Sequence, residues 1–435
     1  MSRTDRSAVF IHGGPSRHRS SACARGLATV GLVALHACAH GSTWRSMPPA
    51  DTAPASMHVA DARLAPIADS ALAHLRAARE RVGAPALSAA ITIDGALAWA
   101  GVVGWADLER RTPATLATEF RLGSTSKAIT ATALARLVDA DRIALDTGIA
   151  RYLAPLPNRA WAPLTPRQLA SHTAGIVDYA TNRDLRGLWR SLRETHRYTS
   201  ATAALDIFDG SGLRYRPGTR FLYSSYDVNL LGAVMEAVTG ASYPLLLDSL
   251  VVRPRGAHSM HAQGVADSNA HAVFHESSGS GFRPWRPVDH SYKWPSGGLV
   301  ATPSDVARIG GAWFDTTYIS AATRERFWTP QRLADGRVNE QSYALGWRVS
   351  RQPRVVIDGC AARQVHHGGV SKGGVSWLVL YPDRRMAVSL MMNARPAQFA
   401  AFAGEELGIT TLASRALSTR TPPDGPGPKT SGCSH

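Results

Sequence analysis

The sequence predicts a mixed α/β fold, in which an antiparallel sheet flanked by helices carries an inserted, mainly helical subdomain. Alternating apolar runs flank a tight turn early in the chain, at Asp94-Gly95, and β-rich runs recur late in the chain, within 376–392. Between them, from about Lys127 to Leu247, helical periodicity and loops dominate. Strands from both ends of the chain therefore enclose the helical insertion.

The first predicted elements are a helix and a hairpin. A helix over about 61–81 is indicated by apolar residues at helical spacing, namely Leu64, Ile67, Leu72 and Leu75. Strands follow at Ala86–Ile93 and Ala96–Val103. The dipeptide between them, Asp94-Gly95, accepts the positive φ that both central residues of a type I′ turn need. The pattern therefore predicts a β-hairpin.

The last predicted elements are strands. Tyr343–Val349, Ser376–Tyr381 and Met386–Met392 are rich in β-branched and aromatic residues, and Pro382-Asp383-Arg384 joins the last two by a tight turn. We expect these strands to share one sheet with the first hairpin.

The composition is that of a globular protein with an arginine-rich surface. A hydrophobic share of 44% in 435 residues allows a substantial core. The formal net charge of +15 comes almost entirely from arginine. No basic run is longer than an adjacent pair, and no nucleic-acid-binding module is recognisable, so no nucleic-acid partner is predicted. We interpret the arginines as a solvated surface rather than as a surface that binds anionic envelope polymers or lipid head groups.

Residues 1–39 are typical of an export signal, because Arg17, Arg19 and Arg25 precede an apolar run over 26–35 and then small residues. The run is about ten residues long, whereas a bilayer span needs roughly 20. Leu35-His36-Ala37-Cys38 resembles the lipobox of a bacterial lipoprotein, so lipid anchoring at Cys38 and simple cleavage nearby stay open as alternatives. Both predict a periplasmic or cell-envelope location.

The rest of the chain is predicted to form one folded domain with polar ends. Residues 40–60 are rich in Ser, Thr, Pro and Ala and predict a flexible tether, and 417–435 predict a disordered tail. The domain itself would span 61–416. The two cysteines beyond the signal, Cys360 and Cys433, give no disulfide framework.

The candidate chemistry begins at an S-x-x-K motif. Ser124 and Lys127 precede a helical run, Ala128 to Asp139, and residues three apart on a helix share one face. A serine hydroxyl is a poor nucleophile at neutral pH, and an adjacent amine can take its proton. The motif alone is equally compatible with a solvated lysine at a helix start.

Further segments decide between these interpretations, because in this order they resemble the serine β-lactamase and penicillin-binding-protein family, in particular its class C β-lactamase and β-lactamase-like esterase branch. The resemblance covers about residues 61–416. It is carried by Glu119–Asp146 (EFRLGSTSKAITATALARLVDADRIALD), Leu164-Thr165-Pro166 to Leu169, Ser171–Gly175 (SHTAG), Pro217–Ser225 (PGTRFLYSS), Ser296–Thr302 (SGGLVAT), Tyr343–Trp347 (YALGW) and His366–Gly369 (HHGG).

The resemblance implies an acyl-enzyme mechanism. Ser124 would attack a carbonyl, Lys127 would remove its proton, and Tyr223 would relay protons with Lys127. The family's oxyanion hole would be formed by the backbone N–H groups of Ser124 and Val370, beside Gly369.

Two histidines compete for the position where the family has K-T-G or H-x-G. His366 and His367 both satisfy H-x-G, and His367 is preferred because it gives Gly373 and the next strand the family spacing. It would orient the tyrosine or the leaving group. His172, in the Ser171–Gly175 loop, is interpreted as a structural residue rather than a catalytic base.

The sequence departs from the family pattern at two positions. Ser225, a predicted substrate-binding residue, replaces the Asn of Y-x-N, and His367 replaces the lysine of K-T-G. Both replaced residues engage a β-lactam, so short-chain esters or peptide-like acyl substrates are expected instead. A protonated His367 would recover some affinity for a carboxylate at low pH. The choice among ester, β-lactam, D-amino-acid peptide and small amide stays open.

Two other hypotheses are kept. Gly369–Gly373 matches G-x-S-x-G and would make Ser371 the nucleophile of an α/β-hydrolase, but that elbow needs a following helix and 374–381 predicts a strand. The chain could also be a non-hydrolytic or acyl-trapping protein that binds cell-wall peptide. No metal-binding spacing, P-loop or dinucleotide fingerprint is present, so no metal or cofactor is predicted.

Overall fold

The computed structural model describes residues 43–418, apart from 180, 183, 186–188, 190–195, 265–269, 280 and 358–359. The chain forms two units, Met1–Gly41 and Ser42–His435, and the described residues all belong to the second. The predicted export signal, Cys38 and nearly all of the predicted tail therefore lie outside the described residues.

An antiparallel sheet of eight strands is the main element of the fold. The strands described are β1 (Arg45–Ser46), β2 (Ala55–Val59), β3 (Ala86–Ile93), β4 (Ala96–Asp107), β5 (Thr112–Pro113), β6 (Phe120–Arg121), β7 (His261–Ala262), β8 (His275–Ser278), β9 (Gly281–Pro284), β10 (Leu299–Ala301), β11 (Arg348–Ile357), β12 (Cys360–Ser371), β13 (Gly374–Tyr381) and β14 (Met386–Met392). The large sheet has the order β11-β12-β13-β14-β3-β4-β2, and β5 pairs with β4. Two small sheets have the orders β6-β10-β7 and β1-β9-β8.

The predicted hairpin and the last two strands form the centre of this sheet. Asp94 and Gly95 have φ of 54° and 83°, as a type I′ turn requires. β14 pairs with β3 from Met386 opposite Ile93 to Met392 opposite Leu87. The prediction that strands from both ends of the chain share one sheet is therefore confirmed.

Helices cover both faces of the large sheet. The helices described are α1 (Ala68–Val82), α2 (Ser126–Asp139), α3 (Pro166–Ala170), α4 (Ser225–Thr239), α5 (Tyr243–Leu247), α6 (Arg253–Arg255), α7 (Trp294–Gly297), α8 (Pro303–Gly311), α9 (Ala321–Trp328) and α10 (Phe399–Ser418). Helices α1 and α10 pack on one face, where Leu75 and Phe402 join Leu87 and Ile91 of β3 in one core. Helix α8 packs on the other face through Ala307.

The insertion between β4 and β11 is mainly helical, as predicted, and its core is continuous with α2. Among the described residues no single helix has the length and hydropathy of a membrane span. Two consecutive helical stretches, Ser225–Thr239 and Tyr243–Arg255, together have the length and hydropathy of a span, but they meet at an angle of 78°.

The tether predicted for 40–60 is wrong over part of its length. Ala55–Val59 form strand β2 at the edge of the large sheet, with Ala55 opposite Val103 of β4. Along this strand half-buried residues alternate with exposed ones. An edge strand of this kind needs only a weak apolar pattern. The Ser and Ala content of this segment therefore did not indicate a strand.

The strand predicted at Tyr343–Val349 starts later than expected. β11 begins at Arg348, and the chain turns just before it because Gly346 has φ of 78°. A Cβ on Gly346 would lie 2.4 Å from Ala131 of α2, so the turn presses directly on that helix. Apolar residues at Tyr343 to Trp347 are buried by this contact rather than by a sheet.

A buried carboxyl group links α10 to the large sheet. Glu406 of α10 is 1% exposed and accepts hydrogen bonds from the hydroxyls of Tyr381, at 3.2 Å, and Thr410. Burial raises the pKa of Glu406 from 4.5 to about 7. The group therefore takes up a proton on folding between these two pH values, and its contribution to stability is complete below 4.5 and is lost as the pH rises through about 7.

We expect Glu406→Gln to remove this pH dependence. Glutamine keeps the acceptor oxygen but cannot ionise, so the free energy of unfolding should fall less between pH 5 and pH 8 in the variant, by on the order of 3 kcal/mol. Urea unfolding at pH 5 and at pH 8 measures this change in the free energy of unfolding. Glu340→Gln, which replaces an exposed carboxyl group before β11, is the control and should retain the parent's dependence. An equally steep fall in Glu406→Gln would contradict the prediction.

Candidate active site

The predicted nucleophile lies on a short turn that joins strand β6 to helix α2. A 3-10 turn covers Gly123–Thr125, and α2 starts at the next residue. Ser124 is partly exposed, whereas its neighbours are buried. Gly123 has φ of 52°, and a Cβ on it would lie 2.6 Å from the backbone of Val370, so this position requires glycine.

Lys127 lies in the first turn of α2 and is 1% exposed. Its Nζ lies 3.2 Å from Ser124 Oγ, 3.1 Å from Ser225 Oγ and 2.8 Å from the carbonyl oxygen of Ser296. Nζ also lies 4.8 Å from the centre of the Tyr223 ring. The amine is removed from water but has oxygen partners on several sides, as a buried amine requires.

The start of helix α4 fixes the second part of the site. The side chain of Ser224 caps the helix by accepting hydrogen bonds from two backbone N–H groups of its first turn. The N–H of Ser225 donates to Asp178 Oδ1 at 2.9 Å. These contacts hold Tyr223 and Ser225 on either side of the cap, next to Lys127.

His172 lies beneath the tyrosine, where it is fully buried. Its ring centre is 4.4 Å from that of Tyr223, and its Nδ1 lies 3.2 Å from Asp227 Oδ2. Burial holds the pKa of His172 well below its usual range and that of Asp227 well above it. His172 is thus placed to support Tyr223 from below.

Strand β12 brings a histidine to the site. His367 is fully buried; its Nδ1 donates to the carbonyl oxygen of Gly368 at 2.8 Å, so its Nε2 accepts from Tyr343 Oη at 2.9 Å. His366 projects from the opposite face of the strand, where its ring centre lies 4.7 Å from that of Trp377. Of the two histidines, the structure places His367 on the side of the predicted nucleophile.

The expectation that His367 gains a proton at mildly acidic pH is wrong. Burial, together with the charge of Arg348, holds its pKa well below 6.5. The ring is neutral and both of its nitrogens are hydrogen-bonded. It therefore supplies no positive charge for a substrate carboxylate.

The predicted oxyanion hole lies where β12 crosses the nucleophile turn. A Cβ on Gly369 would lie 1.8 Å from the carbonyl oxygen of Leu122 and 2.8 Å from Ser124 N. A Cβ on Gly123 would lie 2.8 Å from Val370 N. The two backbones are therefore in direct contact, and the N–H groups of Ser124 and Val370 belong to the same small region.

The alternative nucleophile, Ser371, has the wrong structural context. It ends β12, and a turn at Lys372-Gly373, with φ of 69° at the glycine, leads directly into β13. A nucleophile elbow requires a helix after the serine. The G-x-S-x-G match is thus part of a β-hairpin, which removes the α/β-hydrolase hypothesis.

The sequence analysis missed two residues of the site. Tyr343 was interpreted as part of a core strand, but its hydroxyl bonds to His367 and its ring packs against that of His172, with centres 4.7 Å apart. Arg348 was not considered; its guanidinium carbon lies 5.3 Å from the Tyr223 ring centre and 5.2 Å from that of Tyr343. The YALGW motif singled out the segment that contains Tyr343, whereas no sequence motif indicated that Arg348 belongs to the site.

Comparison with protein families gives a match over most of the chain. Residues 71–409 match the family model described as Beta-lactamase. The human "Serine beta-lactamase-like protein LACTB, mitochondrial" is 23% identical over 393 residues, which cover 70% of each protein. Penicillin-binding protein 4* of Bacillus subtilis is 23% identical over 305 residues, which cover 67% of this chain and 64% of that protein.

Solved structures share the fold. EstCE1, described as a hydrolase with promiscuous acyltransferase activity, has a TM-score of 0.65 at 21% identity, and the match covers 80% of this chain and 99% of EstCE1. The D-amino acid amidase of Ochrobactrum anthropi SV3 has a TM-score of 0.62 at 21% identity, with 81% and 99% covered. At these identities the likeness establishes a β-lactamase/transpeptidase-type fold, which confirms the predicted fold class.

Replacing the two candidate serines in turn separates the two nucleophile hypotheses. We expect Ser124→Ala to lower kcat for p-nitrophenyl butyrate by about 10⁴-fold or more, because it removes the attacking atom. Ser371→Ala should retain most activity. A fluorophosphonate adduct, located by peptide mass spectrometry, should lie on Ser124 in the parent. Loss of activity in Ser371→Ala alone would contradict this assignment.

Proposed function

The chain belongs to the beta-lactamase family, and on this basis we propose that it is a serine hydrolase that acts through an acyl-enzyme on an ester, amide or peptide-like substrate. The observation that carries the proposal is the position of Lys127 Nζ, 3.2 Å from Ser124 Oγ in a buried environment. The names of its structural neighbours, a hydrolase and an amidase, support the same reaction class.

Lys127 has the surroundings of a general base. A neutral amine carries two N–H bonds and one lone pair. Ser225 Oγ and the Ser296 carbonyl oxygen, at 3.1 and 2.8 Å, are acceptors for the two N–H bonds. The lone pair is then left for the hydroxyl proton of Ser124. Two fixed acceptors thus aim the amine at the nucleophile.

The proposed reaction follows from this arrangement. Ser124 Oγ forms a bond to the carbonyl carbon while its proton passes to Lys127 Nζ. The negative charge on the carbonyl oxygen is stabilised by the N–H groups of Ser124 and Val370. The bond from the carbonyl carbon to the leaving group then breaks, and the leaving group takes the proton held by Lys127, relayed through Tyr223, whose ring lies over Nζ. Water next attacks the acyl carbon and gives one proton to the same relay, which returns it to Ser124 Oγ as the acyl–Oγ bond breaks and the acid leaves.

The two departures from the family pattern bear on the substrate. Ser225 retains the contact with Lys127, but its side chain is too short to reach a substrate amide as the family's asparagine does. His367 is neutral and tied to Tyr343. These features favour short-chain esters or peptide-like acyl groups over β-lactams, whose carboxylate and side-chain amide use both positions.

Arg348 keeps a positive charge near the site. Its guanidinium stacks on Tyr223 and Tyr343 and is held by Gln341 Oε1, which accepts from Nη2 at 2.7 Å. A peptide-like substrate with a carboxylate therefore still has a cation to approach. This cation is in a different place from the family's lysine, so the order of preference among substrates should differ from that of a β-lactamase.

We expect the parent to have a higher kcat/KM for p-nitrophenyl butyrate than for nitrocefin. The double variant Ser225→Asn/His367→Lys restores both family contacts, and it should raise the nitrocefin-to-ester ratio of kcat/KM by about one to two decades, since a charge-assisted hydrogen bond contributes roughly 1.5–3 kcal/mol. Ser124→Ala in the double variant is the control and should be inactive.

Two outcomes would count against these proposals. Nitrocefin turnover in the parent at the level of the ester, with no gain in the double variant, would contradict the substrate preference. A stable adduct on Ser124 that never turns over with esters, amides or β-lactams would instead indicate the acyl-trapping, peptide-binding alternative.

We also propose that the protein is exported to the bacterial periplasm or cell envelope and processed at or near Cys38. The support is the basic and apolar character of residues 1–39. After expression in a Gram-negative host, intact mass analysis of the envelope fraction should give a chain that starts at or near residue 38. An added mass of a diacylglycerol and an acyl chain would indicate lipidation. A chain that starts at Met1 in the soluble cytoplasm would contradict export.

A further inference from the structure

Three side chains from separate segments converge beside the small sheet β6-β10-β7. Glu119 immediately precedes β6, and His261 lies on β7; both strands pair with β10, where Val300 is opposite Arg121 and His261. The backbone of Glu119 accepts from Ala272 N–H and donates to Ala270 O, each at 3.0 Å, which places His271 beside it. Backbone hydrogen bonds thus hold all three residues in position.

The three ligand atoms lie close together. Glu119 Oε2 is 2.8 Å from His271 Nε2 and 3.1 Å from His261 Nε2, and the two nitrogens are 3.3 Å apart. The rings are stacked, with an interplanar angle of 16°. The side chains of Glu119 and His271 are 9% and 11% exposed, and that of His261 is 37% exposed, so the cluster is shielded on one side and open on the other.

We propose that Glu119, His261 and His271 bind a divalent cation of the zinc class through Oε2 and the two Nε2 atoms, with a water at the fourth position. Imidazole and carboxylate are the ligands that zinc prefers together, at about 2.0–2.2 Å. Tetrahedral ligands at that distance are about 3.3 Å apart. Two of the observed separations, 3.1 and 3.3 Å, are close to this value, and the third, 2.8 Å between Glu119 Oε2 and His271 Nε2, is shorter.

The hydrogen bond on the far side of His261 orients its ring as a ligand. Its Nδ1 lies 3.3 Å from the carbonyl oxygen of Ala262, which can only accept, so a neutral ring would carry its proton on Nδ1. Nε2, 3.1 Å from Glu119 Oε2, would then direct its lone pair at the position that the cation occupies. A carbonyl partner on the other ring nitrogen is also the usual support of a metal-bound histidine.

No spacing along the chain marks this site, because its ligands come from three separate segments. The structural setting suggests a stabilising rather than a chemical role. The metal would join β6 to β7 across β10, and the N–H of Leu122, between β6 and the nucleophile turn, donates to Leu299 of β10 at 2.9 Å. The site would thus stiffen the strand that leads to Ser124, independently of the reaction proposed above.

The test uses the untagged, EDTA-treated full-length protein titrated with zinc sulfate in a calorimeter. We expect saturable binding of one equivalent. His261→Gln and His271→Gln keep a polar side chain of similar length but lose the imidazole ligand, so each should weaken binding by about a hundredfold or more, beyond the 10–100-fold typical of losing a supporting residue. His58→Gln, at an exposed position of β2, is the control and should bind as the parent does.

Two further measurements keep the test decisive if a variant folds poorly. Cobalt(II) added to the parent should give the visible absorption of a tetrahedral site, and zinc should displace it. Zinc should also raise the melting temperature of the parent and of His58→Gln but not that of His261→Gln. Absence of stoichiometric binding in the parent, or unchanged affinity in both cluster variants, would overturn the proposal.

Discussion

The burial of one amine constrains the whole site. Lys127 is removed from water inside the core, and an amine there needs oxygen partners to offset the loss of hydration. Those partners come from the nucleophile turn just before α2, from the start of α4 and from α7, through Ser124, Ser225 and Ser296. The site is therefore complete only when the other helices of the insertion pack against α2. The insertion and the sheet accordingly share one continuous core.

A second constraint is the approach of β12 to the nucleophile turn. No side chain fits between them, because a Cβ at Gly123 or Gly369 would overlap the opposite backbone. Close contact is what brings two main-chain N–H groups to one carbonyl oxygen. It also fixes the register of β12, and with it the choice between His366 and His367, since a shift of one residue would exchange the faces of the strand.

Local patterns predicted the parts of the fold that local chemistry determines. Asp94-Gly95 specified its turn, and Met386–Met392 form β14 as expected. The edge strand β2 was not predicted because its pairing with β4 holds it in place and it needs little apolar character of its own. The contacts of Tyr343 and Arg348, and the cluster of two histidines with Glu119, depend on how distant segments meet, which no spacing along the chain records.

The positive charge near the site comes from a different position than in the family pattern. Where the family pattern has the lysine of K-T-G, this chain has a neutral imidazole that accepts a hydrogen bond from Tyr343. Arg348, at the start of the neighbouring strand, keeps a positive charge over the faces of Tyr223 and Tyr343. In the proposed reaction, a cation on these ring faces would stabilise the negative charge that develops on Tyr223. An uncharged acyl group would meet no positive charge from His367, so the proposed preference for uncharged substrates follows from where the cation lies.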